Sequence, residues 1–172
     1  MTERVADFIV QCDKERLAIG HAYGIDLISV TDWIQVAYKD THGETLCERM
    51  KNNPAYYEIK APGSIFARQL TEDIPTGLIP LIELGKVVGI ETPLMSSIVN
   101  ICQALLNMNF YTTGRTLRNM GLSGKDKKQI IEYIKNGFTV KQYMLYDLFT
   151  DFLRLEQCKI GHDIDTTTYN KY

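Results

Sequence analysis

One short segment of the sequence brings together side chains that could bind an acidic substrate and assist proton transfer. It reads R-Q-L-T-E-D-I-P over residues 68–75, where an irregular stretch meets the predicted start of a helix. An arginine such as Arg68 can grip a carboxylate through two parallel N–H···O bonds. We expect Asp73, at the helix start, to be held ionised by backbone N–H groups and the helix dipole. Because an ionised aspartate can orient an imidazole delivered from elsewhere, the segment could serve both binding and catalysis.

The same residues also allow a purely structural interpretation. Asp73 or Thr71 would then be only the N-cap of the following helix, and Arg68 only a solvated ion-pair partner. Residue types and spacing leave the two interpretations open.

Outside this segment, the sequence holds few groupings that are typical of an active site. The histidines His21, His42 and His162 are spread out and form no Ser-His-Asp or Cys-His arrangement. The four cysteines are widely separated without a CxxC pair, so we expect no metal site. The sequence contains neither G-x-G-x-x-G nor G-x-x-x-x-G-K-[ST], which predicts no cofactor-binding phosphate cradle in this chain.

Helical periodicity runs along most of the chain and indicates which elements would position the segment. Over the first 24 residues, an apolar face recurs at helical steps and ends at a glycine: Val5, Phe8, Ile9, Cys12, Ile19 and then Gly24. In the first half of the chain, further helices are predicted after residues 29–31, over about 45–51 and over 74–88. In the second half, helices are predicted from Thr92 past Met108, over about 112–120, from Ser123 to Gly137 and over about 140–157. Thr112 or Thr113 is the expected cap of the helix over 112–120. Residues 54–71 are predicted to be irregular. No run alternates as a strand would, so the predicted fold is all-α with six to eight helices.

Composition and charge exclude several classes of function. The 172 residues suit one globular domain, and a formal net charge of −2 argues against a nucleic-acid binder that works by bulk electrostatics. No apolar run reaches the roughly 18 to 20 residues of a membrane span. The first residues lack the basic and apolar regions of a signal peptide. We therefore expect a cytoplasmic protein that binds neither nucleic acid nor membrane.

The segment and its flanks resemble the C-terminal helical domain of the NAD(P)-dependent octopine/nopaline dehydrogenase (opine dehydrogenase) family. The T-E-D-I-P-x-G-L block over residues 71–78, with Arg68 before it, is the specific part, and the resemblance covers about residues 10–122. Weaker matches lie at residues 15–19, 24–25, 79–80, 84–90, 92–93, 114–117 and 121–122. The resemblance implies an all-α fold of the 6-phosphogluconate dehydrogenase C-terminal-like type.

The resemblance also implies a reaction and roles for three residues. In that family, a helical domain binds an amino acid and a 2-oxo acid, while an upstream Rossmann domain binds NAD or NADP. The enzyme reduces the imine formed between the two substrates to an N-(carboxyalkyl)amino acid. Asp73 matches the catalytic aspartate that partners a histidine general acid/base, and Arg68 matches the arginine beside the substrate carboxylate. Thr71, in the same block, is the other expected substrate-binding residue.

The sequence departs from the family pattern in two features. The family's histidine lies in a helix before the one that contains Glu15, so this chain begins too late to contain it, and the glycine-rich cofactor loop is missing too. We expect residues 1–160 to form a single helical domain and residues 161–172 a flexible tail. A Rossmann domain of the same or a separate polypeptide is the expected partner, and a second copy of the chain is a further candidate. The chain alone is predicted to be inactive in hydride transfer.

Two other interpretations stay open at this level. The chain could be a helical module for binding or dimerisation that kept the fold without the chemistry. It could also be the helical domain of a related hydroxyacid or ketopantoate-type dehydrogenase.

Overall fold

Helices and turns, without a strand, make up residues 1–137, which are the residues described by the computed structural model. The α-helices are α1 (Glu3–Tyr23), α2 (Val30–Ala37), α3 (Leu46–Lys51), α4 (Arg68–Thr71), α5 (Ile79–Val87), α6 (Pro93–Leu106), α7 (Phe110–Thr113) and α8 (Lys127–Asn136). A 3₁₀ turn spans Pro54–Tyr56, and a π-helix spans Ile74–Leu78. The predicted all-α fold is confirmed. Within residues 1–137, no helix has the length and apolar character needed to cross a membrane.

The chain divides into two compact units, residues 1–128 and residues 129–172. The second unit is described only over residues 129–137, which form most of α8. The predicted helix over 140–157 and the predicted tail over 161–172 lie outside the described residues. One domain over residues 1–160 therefore stays a prediction.

Two apolar clusters form the core of the first unit. The larger one joins the π-helix, α5, α6 and α7 through Ile74, Ile79, Ile82, Met95, Val99, Cys102, Leu106 and Phe110. The smaller one joins α1, α2 and α3 through Ala6, Ile34, Leu46 and Cys47. Fully burying one such large side chain contributes roughly 1.5–3 kcal/mol, so these clusters dominate the stability of the unit.

The predicted apolar face of the long helix α1 is buried only in part. Ile19 is buried as expected, but Val5 and Phe8 are 49% and 45% exposed, and Cys12 is only half-buried. Helical periodicity marks the apolar residues of a helix but does not show which of them a neighbouring helix covers. The buried face of α1 includes instead a carboxylate, that of Asp13.

Two carboxylates of α1 hold the starts of two other helices. Asp13 accepts hydrogen bonds from the Val30 N–H at 2.7 Å, at the start of α2, and from the Arg16 Nε at 2.7 Å. Glu15 accepts from the backbone N–H groups of Leu94 at 2.7 Å and Met95 at 3.0 Å, in the first turn of α6. Negative charge is favourable at a helix N-terminus, so these bonds fix α1 against α2 and α6.

Several helix ends are confirmed where the sequence predicted them. Gly24 ends α1 with a left-handed φ of 79°. Ser29 caps α2 by accepting from the Asp32 N–H at 3.1 Å. At α3, Thr45 and Glu48 form a reciprocal capping box. In each case a local side chain or backbone conformation decides the helix end, which is why the sequence alone suffices.

The predicted helix over residues 112–120 was wrong. The helical turn α7 ends at Thr113, and residues 114–121 form turns. The N-cap of α7 is Asn109, whose Oδ1 accepts from the Tyr111 N–H at 3.0 Å. Neither Thr112 nor Thr113 is the N-cap. Residues 114–117 leave the helix because they bond to distant parts of the fold, as described below.

Candidate functional site

The segment predicted to do chemistry folds as a single helical turn followed by a widened one. The turn α4 ends at Thr71, two residues follow, and the π-helix Ile74–Leu78 leads directly into α5. In the π-helix, the Ile79 N–H donates to the Ile74 carbonyl, five residues back instead of four. Isolated π-turns of this kind occur frequently at functional sites.

Pro80 leaves the Pro75 carbonyl of this widened turn without a donor from its own helix. Proline has no backbone N–H, so Pro80 cannot make the bond that a π-helix would direct to the Pro75 carbonyl. Ile79 would serve that carbonyl in an α-helix, but its N–H is used by Ile74. The backbone N–H of Arg115 supplies the donor instead, at 2.9 Å from the Pro75 oxygen.

Residues 114–117 are anchored to the π-helix and to α5. A Cβ on Gly114 would lie 2.7 Å from the Pro75 oxygen and 2.5 Å from the Phe110 oxygen, so only glycine fits. The Leu117 N–H donates to Glu83 of α5 at 3.0 Å. The fold therefore brings the G-R-T-L stretch directly against the T-E-D-I-P block, a contact that no local pattern in the sequence reveals.

Arg68 and Glu72 form an ion pair on the exposed surface of this segment. The Arg68 Nε donates to the Glu72 carboxylate at 2.7 Å, and the side chains are 75% and 52% exposed. The hydrogen bond and charge of Glu72, followed by the charge of Asp73, raise the pKa of the Arg68 guanidinium above its usual value. Arg68 is thus a solvated ion-pair partner, as the structural interpretation of the sequence predicted. Among the bonds to residues 1–137, only its Nε–H is used, out of the five N–H donors of a guanidinium.

Asp73 occupies the N-cap position of the π-helix as predicted, but neither Asp73 nor Thr71 caps it through a side-chain hydrogen bond. The Thr71 hydroxyl donates to the Ala67 carbonyl at 3.3 Å within α4. Asp73 has helical backbone angles and makes no side-chain capping bond, because the chain passes from α4 into the π-helix without an extended residue between them. The expected hydrogen bonds from N–H groups of a helix start to its carboxylate are therefore not formed, and Asp73 is exposed.

The fold presents Arg68, Thr71 and Asp73 along one connection, without a histidine of the described residues among them. His21 lies in the last turn of α1, His42 follows α2, and both are exposed. An open groove of about 520 Å³ contains none of the three predicted residues and is lined by Lys86, residues 89–93 and Ser96. No group of three His, Cys, Asp or Glu side chains in residues 1–137 is arranged to hold a metal ion.

A dinucleotide cofactor does not fit the described residues. They contain no βαβ unit, and the sequence lacks the glycine-rich loop that lets a backbone approach a pyrophosphate. What this arrangement offers is a pair of carboxylates and a guanidinium, which can bind and orient a charged substrate.

Comparison with known proteins identifies the family in which this arrangement of residues occurs. Residues 1–106, which include the whole T-E-D-I-P block, match the family described as NAD/NADP octopine/nopaline dehydrogenase, alpha-helical domain. The chain belongs to this family. The predicted family is thereby confirmed, and the match favours it over the hydroxyacid and ketopantoate-type dehydrogenases.

Two curated relatives agree with this assignment, and one solved structure agrees with the fold. Opine dehydrogenase of Arthrobacter sp. (strain 1C) is 37% identical over 127 residues, which is 72% of this chain and 34% of the relative. Protein ocs of Agrobacterium vitis is 32% identical over 132 residues, 75% of this chain and 36% of the relative. A solved octopine dehydrogenase with NADH and L-arginine matches with a TM-score of 0.62 at 19% identity, over 76% of this chain and 39% of that chain, which supports the fold alone. The chain spans about a third of the length of these curated relatives.

Proposed function

We propose that this chain is the substrate-binding helical part of an opine dehydrogenase. Such an enzyme reductively condenses an amino acid with a 2-oxo acid at the expense of NADH or NADPH. The observation behind this proposal is the T-E-D-I-P block with Arg68 before it, which lies within the matched region. Its charged residues Arg68, Glu72 and Asp73 are exposed near one another along the chain. Similarity to relatives named opine dehydrogenase and vitopine synthase supports the same reaction class.

Each residue of the block has a distinct proposed role. The four N–H donors of Arg68 that Glu72 does not use bind the substrate carboxylate in a forked, bidentate manner. Asp73 orients the imidazole of a histidine that lies outside this sequence and acts as general acid/base. Thr71 donates its hydroxyl to Ala67 and keeps oxygen lone pairs with which to accept from the substrate.

The cofactor and the reacting histidine have to come from another part of the enzyme. Because the described residues do not fit a dinucleotide, we propose that a Rossmann domain, in the same or a separate polypeptide, binds the nicotinamide cofactor and supplies its hydride. The contribution of this chain is then to bind and orient the amino acid and the 2-oxo acid. On this proposal, the chain alone does not catalyse hydride transfer.

One observation favours a second candidate, a helical binding module without catalysis. Arg68 is paired with Glu72 in an exposed i,i+4 ion pair, an arrangement that needs no substrate to explain it. A module of this kind would bind an amino acid or a partner protein without turning it over.

A chimeric enzyme separates the two candidates. The matched region of the Arthrobacter relative is replaced by this chain, and oxidation of the reduced nicotinamide is followed with pyruvate and a panel of amino acids. We expect turnover by the chimera and none by the chain alone. A folded chimera that binds amino acids without turnover would favour the non-catalytic module, and turnover by the chain alone would contradict the division of roles.

Two variants of the chimera, each with a control of the same chemistry, test the assigned residues. Asp73→Asn is expected to lower kcat by about 100-fold or more, as loss of a group needed for acid–base catalysis does. Arg68→Ala should mainly raise KM, since it removes a ground-state contact with the carboxylate. Asp7→Asn and Arg4→Ala, on exposed positions at the start of α1, should leave both constants unchanged.

A further inference from the structure

We propose that Arg115 is a second substrate-binding arginine, which binds the second carboxylate of a dicarboxylic N-(carboxyalkyl)amino acid. This inference rests on the proposed function, because it names a binding residue for the substrate carboxylate that Arg68 does not bind. The product of such a reaction has two carboxylates on either side of a secondary amine. Arg68 has been assigned to one of them, and the matched T-E-D-I-P block contains no second cation.

The backbone of Arg115 is fixed next to the block. Its N–H donates to the Pro75 carbonyl at 2.9 Å, and the preceding Gly114 lies against the same residue, with an ideal Cβ 3.3 Å from the Pro75 Cα. Pro75 follows Asp73 by two residues, a separation of at most about 7 Å along the chain. The long side chain of Arg115 therefore starts within reach of the surface that presents Asp73.

The guanidinium of Arg115 is also available to a ligand. The residue is exposed, and within residues 1–137 its side chain has no hydrogen-bond or ion-pair partner. Arg16 and Arg49 differ from it, because Arg16 bonds to Asp13 and Ile28, and Arg49 bonds to Gly43 and Thr31. The contact that holds Arg115 to the fold is made by its backbone, so its side chain is not required for that contact.

The local charge indicates why a second cation is needed. Arg68 contributes one positive charge to the segment, against the two negative charges of Glu72 and Asp73. This net negative charge would repel the two carboxylates of an approaching dicarboxylate, and only the amine of that ligand would not be repelled. Arg115 restores neutrality and offers a second bidentate fork, the geometry that arginine provides and lysine does not.

Binding of two simple probes to the full 172-residue chain tests the inference. Iminodiacetate has two carboxylates on a secondary amine, and N-methylglycine has one. Dissociation constants are measured for both by amide chemical-shift titration and by calorimetry. We expect Arg115→Ala to weaken iminodiacetate binding on the order of tenfold or more, the loss of one charge-assisted hydrogen-bonded pair. Binding of N-methylglycine should not change.

Arg118→Ala is the matched control, since Arg118 is an exposed arginine three residues further along the same stretch. It should leave both dissociation constants unchanged. An equal loss of iminodiacetate affinity in the Arg118 and Arg115 variants would show that only the total positive charge matters. That result would overturn the inference. Urea unfolding of Arg115→Ala, with a midpoint expected to equal that of wild type, checks that the variant keeps its fold.

The outcomes also separate this inference from the proposed function. If iminodiacetate binding weakens in Arg68→Ala but not in Arg115→Ala, the second-arginine role is wrong and the proposed function stands. If the wild-type chain shows no saturable binding of iminodiacetate, or binding that neither arginine affects, both are overturned.

Discussion

Gly114 lies so close to Pro75 that a Cβ atom on the glycine would stand 2.7 Å from the proline carbonyl oxygen. The same carbonyl accepts the Arg115 N–H, because Pro80 has no N–H to offer. Pro80, five residues after Pro75, thus leaves the Pro75 carbonyl without a donor from its own helix. Arg115, forty residues after Pro75 along the chain, supplies that donor.

Gly114→Ala should destabilise the first unit by about 1–3 kcal/mol, the usual cost of forcing a methyl group into a packed contact. The added Cβ would press on two backbone oxygens, those of Phe110 and Pro75, which cannot move aside as a flexible side chain could. Urea unfolding followed by circular dichroism measures the loss.

Gly77→Ala is the control for this prediction. Gly77 lies in the π-helix, and a Cβ there would meet no atom within 4 Å. Alanine costs less conformational entropy than glycine in a helix, so stability should stay equal or rise by up to about 1 kcal/mol. Equal destabilisation by both substitutions would mean that the tight approach to Pro75 is not what requires glycine at position 114.

Glu15→Ala should cost about 1–2 kcal/mol of the free energy of unfolding, because it leaves two N–H groups of the first turn of α6 without their acceptor. Those donors, Leu94 and Met95, lie about eighty residues away from Glu15 along the chain. Glu91→Ala removes an exposed carboxylate from the loop just before α6 and should change stability by less than about 0.5 kcal/mol. A comparable loss in the two variants would contradict the capping role of Glu15.

Local signals account for the parts of the fold that the sequence predicts correctly. Gly24, Ser29 and the Thr45–Glu48 capping box each act within four residues, so their types and spacing suffice. The apolar face of α1 was predicted from its spacing, but Val5 and Phe8 on that face are uncovered. Which helix covers which face is a property of the tertiary arrangement, and helical spacing does not contain it.

The candidate site divides in the same way. Arg68, Thr71 and Asp73 could be named from the sequence because they stand in one contiguous block. The Arg68–Glu72 ion pair has helical i,i+4 spacing and was open to prediction, whereas the contact from Arg115 to Pro75 spans forty residues. The Pro75 carbonyl lacks a donor from its own helix only because the turn is a π-helix that ends at Pro80, and helical spacing does not predict that turn.

Asp13→Ala should destabilise the protein by about 2 kcal/mol, since it removes a buried acceptor of two hydrogen bonds. The side chain is 8% exposed, and its loss leaves the Val30 N–H at the start of α2 and the Arg16 guanidinium without that partner. Asp7→Ala, at an exposed position of the same helix, is the control and should have little effect. The midpoint of thermal unfolding compares the two variants, and near-identical midpoints would show that the buried carboxylate of Asp13 contributes nothing to stability.

Glu48 should make the stability of the protein depend on acidity. Hydrogen bonds from the backbone N–H groups of Thr45 and then Glu44 lower the pKa of its carboxyl below the ordinary value of 4.5. A depressed pKa in the folded state stabilises that state above pH 4.5, and the contribution is lost as the pH falls through the folded-state value. Glu48→Gln should therefore lower the urea midpoint near neutral pH and approach wild type at lower pH, while Glu44→Gln, which keeps its backbone N–H, should follow wild type throughout. A gap between wild type and Glu48→Gln that stayed constant from neutral pH to well below pH 4.5 would show that the charge of Glu48 has no part in the capping box.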